Sequence, residues 1–341
     1  MPGHKSRCFV IAEAGVNHNG SLETAKQLVL EAKAAGADAV KFQTFQAELL
    51  VTPSAAKADY QRARTDAEQS QLEMLRQLEL TYDDFACLYE FCQSQEIEFL
   101  STPFDERSAS FLNDLGMARF KIPSGEATNI RLIKHVAAFG KPIILSTGMC
   151  VIEDVRRAIQ WITDVDPSPR VSVLQCVSSY PAKPEDTNLM AMATMRSEFG
   201  TPVGLSDHAV GYNIALGAVA LGASILEKHF TLDRSMPGPD HLASLEPKEL
   251  RSMIVAIREI ESALGDGVKA PTPDELNVAK VARRSIVAAR SLNKGTVLCE
   301  SDLEFRRPGT GIEPRLFCQL ISRTLVVDLP KDALIDWSMV E

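Results

Sequence analysis

Eight short apolar segments recur between Cys8 and His229, and amphipathic stretches with helical periodicity separate most of them. The predicted strands are Cys8–Ala14, Ala39–Gln43, Glu98–Ser101, Arg119–Ile122, Pro142–Ser146, Val171–Cys176, Pro202–Ser206 and Ile225–His229. The predicted helices include Leu22–Ala35, Asp83–Gln95, Asn129–Phe139, Ile152–Thr163 and Gly211–Leu221. This alternation is typical of a closed (β/α)8 TIM barrel in the α/β class. A doubly wound sheet is the alternative, but no GxGxxG motif follows the first strand and eight strands favour closure.

Two further segments fall outside a minimal barrel. The connection from about Phe45 to Thr81 is unusually long, which indicates a functional lid or an oligomer contact. The stretch GDGVKAPTPDEL has the composition of a linker, and short β-like runs with turns follow it from Ser285 to Glu341. We therefore predict a catalytic barrel over 1–265, a linker over 266–280 and a small β-rich domain over 281–341.

Charge and cysteine usage exclude several classes of protein. The formal net charge of the 341 residues is −9, which argues against nucleic-acid binding but leaves room for a locally positive pocket. The 7 cysteines form no CxxC pair, as expected for reduced thiols in the cytoplasm. The first apolar run meets Glu13 too soon for a signal peptide or membrane span. We expect a cytoplasmic protein with no nucleic-acid partner and no membrane association.

Polar or ionisable side chains lie at the C-terminal end of nearly every predicted strand, where barrel enzymes carry their active sites. In chain order they are Glu13, Lys41, Gln43, Ser101, Thr102, Lys121, Ser124, Glu126, Ser146, Ser178, Ser179, Tyr180, Ser206, Asp207, His208, Glu227 and His229. One such residue means little, because strand ends are exposed. A convergent set from eight strands predicts an active site at this end of the barrel.

Two lysines and three serines in this set suggest an anionic substrate. Lys41 and Lys121 stand within apolar strands, where burying an ammonium group is costly unless an anion compensates it. The alternative is that each extends to the barrel rim. Ser124, Ser146 and Ser206 stand in or beside glycine-containing segments (PSGE, STGM, GLSDH), which could supply hydroxyl and backbone N–H donors to a phosphate.

Two histidines and three carboxylates complete the set. His208 and His229 follow consecutive strands and could share a metal such as manganese, or be hydrogen-bonded structural residues. Glu126 could orient or deprotonate a water molecule. Asp240, in PGPDH, is suited to holding sugar hydroxyls; for it, Glu126 and Glu13 the alternative is a helix cap or a surface charge.

The order of motifs resembles one family. The segments IAEAGVNHNG, VKFQT, FLSTPF, KIPSGE, ILSTGM, GLSDH, LEKHFT and PGPDH resemble the sialic acid synthases. The segment RRPGTGIEP and its surroundings resemble the antifreeze-like (SAF) domain of these enzymes. The resemblance runs from Ile11 to about Asp336, almost the whole chain, and implies a TIM barrel followed by a SAF domain.

The resemblance implies that phosphoenolpyruvate condenses with an N-acetylmannosamine-type sugar and water, releasing phosphate with C–O cleavage. Phosphoenolpyruvate would then contact Lys41, Lys121, Ser124, Ser146 and Ser206. The open-chain sugar would contact Glu13, Gln43, Thr102, Tyr180 and Asp240. A divalent metal, Mn²⁺ or Mg²⁺, would be held by His208 and His229 and would polarise the sugar aldehyde. The catalytic candidates are Glu126, for the attacking water, Lys121 and Glu13.

The resemblance also implies a homodimer in which the SAF domain of each subunit reaches over the active site of its partner. Arg307 in RRPGTG would contact the N-acetyl group of the sugar, whereas an arginine in such a loop is usually only a surface residue. Some family members carry Asn where this chain has Ser178, so a hydroxyl would replace an amide beside phosphoenolpyruvate. Ser178 and Asp207 are also predicted to bind substrate.

The acceptor sugar is the open question within the family. We expect N-acetylmannosamine, giving N-acetylneuraminate. The alternative is legionaminate synthesis from 2,4-diacetamido-2,4,6-trideoxymannose, which the loop between about Thr52 and Gln71 and the residues after Ser178 would decide. A second alternative is a carbohydrate- or ice-binding protein. Its barrel mouth would lack the Lys and His residues, which are all present in this chain. A third alternative is a different barrel enzyme for phosphorylated sugars, such as a metal-dependent aldolase. Schiff-base formation at Lys121, trapped with borohydride, would reveal it, whereas the separate C-terminal domain and the two lysine-bearing strands argue against it.

Overall fold

The computed structural model describes residues 7–62, 65 and 68–341. The strands are β1 Phe9–Gly15, β2 Ala39–Thr44, β3 Glu98–Pro103, β4 Phe120–Ile122, β5 Ile143–Ser146, β6 Val171–Cys176, β7 Val203–Asp207, β8 Ile225–His229, β9 Ser285–Ala288 and β10 Leu303–Arg306. The helices are α1 Leu22–Ala35, α2 Ala47–Leu50, α3 Asp59–Arg62, α4 Gln71–Leu78, α5 Tyr82–Ser94, α6 Glu106–Asp114, α7 Ile130–Ala137, α8 Ile152–Thr163, α9 Ala191–Phe199, α10 Asn213–Ala220, α11 Pro247–Ala263 and α12 Pro273–Ala282.

Strands β1 to β8 form one sheet in the order β3-β2-β1-β8-β7-β6-β5-β4. The paired strands run parallel, and β3 and β4, at the two ends of this order, lie beside each other. The sheet is therefore a nearly closed barrel, which confirms the predicted (β/α)8 fold. Every predicted strand overlaps an observed one, because each apolar run is buried between the barrel interior and the helices outside it.

Helix α1 shows how the sequence defines the outer layer. Ser21 caps its first turn by accepting a hydrogen bond from the Thr24 N–H, and Gly36 ends it with a φ of +89° that favours glycine. Leu28 and Val29 on its inner face are fully buried against the barrel. Such caps and apolar stripes repeat around the barrel and hold the strand ends in place.

The long connection between β2 and β3 contains α2, α3 and α4 before α5, the helix of the outer layer that precedes β3. Ser70 and Glu73 form a capping box at the start of α4. Met74, Leu75 and Leu78 on the buried face of this helix pack with Phe45 and Val16, which follow β2 and β1. This small apolar cluster brings the insertion to the C-terminal ends of the strands.

The chain divides into two compact units, residues 1–266 and 267–341. In the second unit β9 and β10 pair antiparallel, and Ile286, Leu298 and Ile335 belong to its separate apolar core. Half of the predicted linker is helical, because α12 begins beyond a capping box at Thr272. Within the described residues, the structure contains no helix long and apolar enough to cross a membrane.

Candidate active site

A cavity of about 480 Å³ opens at the C-terminal ends of the barrel strands. Its lining has two parts of opposite character. We call the first the charged cluster, formed by Glu13, Lys41, Lys121 and Glu227, and the second the apolar wall, formed by Phe45, Leu50, Val51, Met74, Leu75 and Leu78. The charged cluster comes from barrel strands, whereas the apolar wall comes from the insertion between β2 and β3.

The four members of the charged cluster are at least 95% buried. The Lys41 ammonium lies 2.7 Å from a Glu13 carboxylate oxygen and 3.6 Å from Glu227. Lys121 lies 3.6 Å from the other oxygen of Glu227, so Glu227 stands between the two lysines. Removing a charge from water is energetically costly. These side chains stay charged because each lies close to an opposite charge.

Burial and pairing shift the pKa values of the cluster in different directions. Burial raises the pKa of Glu13 to about 7, although Lys41 opposes this shift. Burial acts in the same sense on Glu227, but Lys121 and Lys41 outweigh it and lower its pKa to about 2. Burial lowers the pKa of Lys121, and Glu227 offsets only part of that effect. Lys121 is therefore the cation that gains most from a bound anion.

Hydroxyl and amide groups extend the site around the cluster. Thr102 accepts a hydrogen bond of 2.9 Å from Lys41, and Ser206 donates one of 2.8 Å to Glu227. Ser124 accepts a hydrogen bond of 2.8 Å from the Gly148 N–H. A side chain at position 148 would collide with the hydroxyls of Ser178 and Ser124, so only glycine allows this approach.

A hydroxyl, a carboxylate and an amide also line the cavity. The buried Ser146 hydroxyl has no protein partner. Glu126 accepts a hydrogen bond of 2.7 Å from the Asn129 amide, which fixes its direction at the cavity edge. Gln43 donates a 3.4 Å hydrogen bond to Glu13, on the side away from Lys41.

The rings of His208 and His229 lie 5.2 Å apart and both face the cavity. His208 Nδ1 lies 2.7 Å from the Val177 carbonyl, which only accepts, so Nδ1 carries the proton of the neutral ring and Nε2 is the atom that a metal could use. Burial lowers the pKa of His229 well below its ordinary value, and its buried Nδ1 has no hydrogen-bond partner. Both features leave an imidazole lone pair for a metal.

The donor set fits a metal only in part. Among residues 7–62, 65 and 68–341, no three His, Cys, Asp or Glu side chains are grouped closely enough to hold one. Asp240 lies 3.9 Å from His229 Nδ1, and burial raises its pKa to about 6. A divalent ion would therefore depend on two imidazoles, with water and substrate at its remaining positions.

Most of the predicted site residues converge on this cavity. Those that line it are Glu13, Lys41, Gln43, Thr102, Lys121, Ser124, Glu126, Ser146, Ser178, Tyr180, Ser206, His208, His229 and Asp240. The Tyr180 ring packs 4.2 Å from the His208 ring, centroid to centroid. Arg307 follows β10 in the second unit and is exposed, and its role in a composite site stays a prediction.

Asp207 does not belong to the lining. Successive side chains of a strand point to opposite sides, so Ser206 faces the cavity and Asp207 faces away from it. The Asp207 carboxylate instead pairs at 2.8 Å with Lys228, a fully buried lysine of the neighbouring strand. The predicted contact of Asp207 with substrate does not fit this geometry, and we describe it as the counter-ion of Lys228.

Glu227 belongs to the predicted set of strand-end residues but received no specific role, and the predicted site omitted Cys176 and the apolar wall. Glu227 lies two residues before His229 in the strand ILEKH, so strand alternation places both on the cavity side and could have identified it. Cys176 contacts His208 at 3.9 Å and ends β6. The apolar wall carries no comparable signal, because Phe45, α2 and α4 form it only once the insertion has packed onto the strand ends.

Comparison with known proteins agrees with this geometry. The sequence pattern of the NeuB family matches residues 28–269, and that of the SAF domain matches residues 283–341. The chain belongs to the NeuB family. This confirms the resemblance to the sialic acid synthases and the SAF assignment, and it makes the chain a phosphoenolpyruvate-dependent enzyme that forms a C–C bond to a sugar.

Two relatives are legionaminic acid synthases. N,N'-diacetyllegionaminic acid synthase of Legionella pneumophila is 46% identical over 99% of this chain and 96% of its own length. The enzyme of the same name from Campylobacter jejuni is 42% identical over 96% of this chain and 99% of its own. The crystal structure of N-acetylneuraminic acid synthetase from Leptospira borgpetersenii matches with a TM-score of 0.71 and 35% identity, covering 80% of this chain and 90% of that one.

Proposed function

We propose that this enzyme condenses phosphoenolpyruvate with 2,4-diacetamido-2,4,6-trideoxymannose and water, giving N,N'-diacetyllegionaminate and phosphate. The observation that carries the proposal is the 46% identity with a legionaminic acid synthase along 99% of the chain. The Leptospira borgpetersenii enzyme, whose name refers to N-acetylneuraminic acid, is less similar at 35% identity. The diacetamido sugar therefore replaces N-acetylmannosamine, our first expectation, as the favoured acceptor.

The charged cluster suits the donor. The carboxylate and phosphate of phosphoenolpyruvate would approach Lys41 and Lys121, the two buried ammonium groups of the cavity. Ser124, Ser146 and Ser206 line the same region and would donate hydroxyl hydrogen bonds to these anionic groups. Because the cluster is preorganised and shielded from water, it stabilises developing charge without reorganisation.

The reaction joins two carbons and breaks one C–O bond. The methylene carbon of phosphoenolpyruvate attacks the acceptor aldehyde, whose oxygen takes up a proton. Water then adds to the electron-poor former enol carbon, and Glu126 accepts the proton that this water loses. The hydroxyl of the resulting intermediate loses its proton as the C–O bond to phosphate breaks, which leaves the ketone of the product.

The histidines would bind a divalent ion, Mn²⁺ or Mg²⁺, in this reaction. When bound to His208 and His229, the ion would act as a Lewis acid toward the acceptor aldehyde. Asp240 and Glu13, whose pKa values are both raised by burial, would bind the hydroxyls of the open-chain sugar. Gln43 keeps Glu13 oriented through its hydrogen bond.

A domain-swapped homodimer forms part of the proposal. The SAF domain of one subunit would bring Arg307 to the acceptor bound in the other. Arg307→Ala should then raise the KM for the acceptor about tenfold and leave the KM for phosphoenolpyruvate nearly unchanged, since a lost charge-assisted hydrogen bond has about this effect. If both KM values stay unchanged, the composite site is wrong.

Phosphate release tests the function itself. The protein is incubated with phosphoenolpyruvate, Mn²⁺ and either the diacetamido sugar or N-acetylmannosamine, and kcat/KM is compared between the acceptors. We expect the diacetamido sugar to be faster, and ¹⁸O in the bridging oxygen of phosphoenolpyruvate to appear in the released phosphate. Release with neither sugar would contradict the proposal, and faster turnover of N-acetylmannosamine would return the function to N-acetylneuraminate synthesis.

A further inference from the structure

The apolar wall offers no charged group to a sugar. Sugar carbons carry hydroxyls that require hydrogen-bond partners, yet six neighbouring positions of the lining offer only hydrocarbon or thioether surface. Met74, Leu75 and Leu78 are buried on the inner face of α4, and Phe45 packs edge-on against Phe104 at 6.1 Å. This surface is a packed part of the insertion.

We infer that the apolar wall selects acceptors that are deoxygenated at the end remote from the aldehyde, and that Met74 and Val51 determine this selectivity. The inference rests on the proposed function, since it assumes that a sugar aldehyde reacts at the charged cluster. A sugar oriented in that way directs its other end toward the rest of the lining. In this inference the apolar wall is the part of the lining that this end contacts.

The chemistry of the two acceptors differs at this end. N-acetylmannosamine ends in a hydroxymethyl group, whereas the diacetamido sugar ends in a methyl group. A methyl group gains from contact with Met74 and Val51, whereas a hydroxyl there loses its water without a replacement partner. An apolar pocket rejects an added hydroxyl only by up to about a hundredfold, which sets the scale of the effect.

The position of the wall also separates selectivity from catalysis. Its residues lie in the connection between β2 and β3, outside the strands that carry Lys41, Lys121 and the histidines. A change in the insertion can therefore alter the acceptor without altering the groups that bind phosphoenolpyruvate. Gln71, at the first residue of α4, lines the same side of the cavity and offers an amide to an acetamido group.

Three acceptors separate the effect of the remote hydroxyl from that of the second acetamido group. They are the diacetamido sugar, N-acetylmannosamine and 2-acetamido-2,6-dideoxymannose, which differs from N-acetylmannosamine only by the missing hydroxyl at carbon 6. In the wild-type enzyme we expect kcat/KM for the dideoxy sugar to exceed that for N-acetylmannosamine by about ten- to a hundredfold. Equal values would overturn the inference.

Variants test the residues. Met74→Gln introduces a hydrogen-bonding group of similar length and should reduce the preference for the dideoxy sugar at least fivefold, with the KM for phosphoenolpyruvate unchanged. Val51→Thr, at a half-buried position, is nearly isosteric and keeps the test open if Met74→Gln does not fold. Leu72→Gln is the matched control, because Leu72 lies on α4 but does not line the cavity and should leave the preference unchanged.

The outcomes are distinguishable from those of the proposed function. If the dideoxy sugar is preferred over N-acetylmannosamine but the diacetamido sugar is not preferred over the dideoxy sugar, the wall acts as inferred and the proposed acceptor is wrong. If the diacetamido sugar is best while folded Met74→Gln and Val51→Thr keep the wild-type preference at carbon 6, the proposed function stands and the wall is not its source.

Discussion

The charged cluster and the apolar wall line one cavity but differ in the groups that they present to a ligand. The charged cluster keeps four ionisable side chains out of water by pairing them, with Glu227 between Lys41 and Lys121. The side chains of the apolar wall carry no charge, and we propose that they recognise the shape of a ligand and its lack of polar groups. From this comparison we propose that the two lysines of the charged cluster bind the anionic donor, whereas the acceptor, which varies within the family, contacts Glu13 and extends to the apolar wall.

The two regions also differ in their origin. Barrel strands fix the charged cluster to within the precision of a hydrogen-bonded sheet, because Lys41, Lys121 and Glu227 stand on β2, β4 and β8. The apolar wall belongs to an insertion of short helices and loops, which can change length and sequence without disturbing the barrel. One fold can therefore keep its charged cluster while the residues of the insertion vary.

The largest effect on activity is expected when one of the two histidines beside the charged cluster is replaced. His229→Ala should lower kcat by about a thousandfold or more and remove the response to Mn²⁺, because one of two imidazole ligands is lost. Phosphate release measured across a Mn²⁺ titration checks this. His135→Ala is the control, since His135 is bonded to Ser110 outside the cavity. A variant that keeps full metal-dependent activity would contradict the ligand assignment.

The counter-ion role of Glu227 comes next. Glu227→Gln leaves two buried ammonium groups with less negative charge and should lower the free energy of unfolding by about 3 kcal/mol, the usual effect of breaking a buried ion pair. Phosphoenolpyruvate should raise the Tm of this variant more than that of the wild type, because its anionic groups replace the lost charge.

Thermal unfolding with and without phosphoenolpyruvate measures both effects. Glu106→Gln removes one carboxylate from an ion pair with Arg131, whose side chain is 81% exposed, and should change stability by no more than about 1 kcal/mol. An equally small change in Glu227→Gln would mean that the lysines of the charged cluster do not depend on this carboxylate.

His18 shows what happens to a buried ionisable group without a counter-ion. It lies outside the cavity lining, its Nδ1 accepts a hydrogen bond from Gly20, and burial lowers its pKa to about 4. The unfolded chain binds a proton at pH about 6.5 and the folded chain only near 4, so stability is full above pH 6.5 and falls as the pH drops through this window.

His18→Asn should therefore flatten the pH dependence. Between pH 6.5 and 4 the wild type should lose up to about 3 kcal/mol more stability than the variant, since each pKa unit corresponds to about 1.4 kcal/mol. Urea unfolding at several pH values gives the two slopes. Parallel curves would show that His18 is protonated in the folded protein and that burial alone does not exclude the charge.

The smallest expected effect tests the apolar wall. Phe45→Leu keeps an apolar side chain and should lower stability by about 1 kcal/mol, while the KM for the acceptor rises a few-fold through lost contact area. The KM for phosphoenolpyruvate should not change. Phe91→Leu, on α5 and outside the cavity lining, is the control and should alter neither KM. A rise in the phosphoenolpyruvate KM alone would break the division between the two regions.

The sequence by itself determined the barrel and most of the charged site. Period-2 and helical patterns are local, so the eight strands and the polar residues at their ends could be read without knowledge of the tertiary structure. The same logic, applied to β7 and β8, separates the inward residues Ser206 and Glu227 from the outward residues Asp207 and Lys228. The prediction for Asp207 was wrong because it considered the polarity of the side chain but not the side of the strand on which it lies.

Only the tertiary structure decided which groups meet. The 3.6 Å contacts of Glu227 with two lysines join strands that are far apart in sequence, and their pKa shifts follow from those distances and from burial. The apolar wall depends on how α4 packs beside Phe45, because its leucines and methionine resemble any other helix core in the sequence. Local patterns predict elements, whereas a binding surface shared between elements exists only once their packing is known.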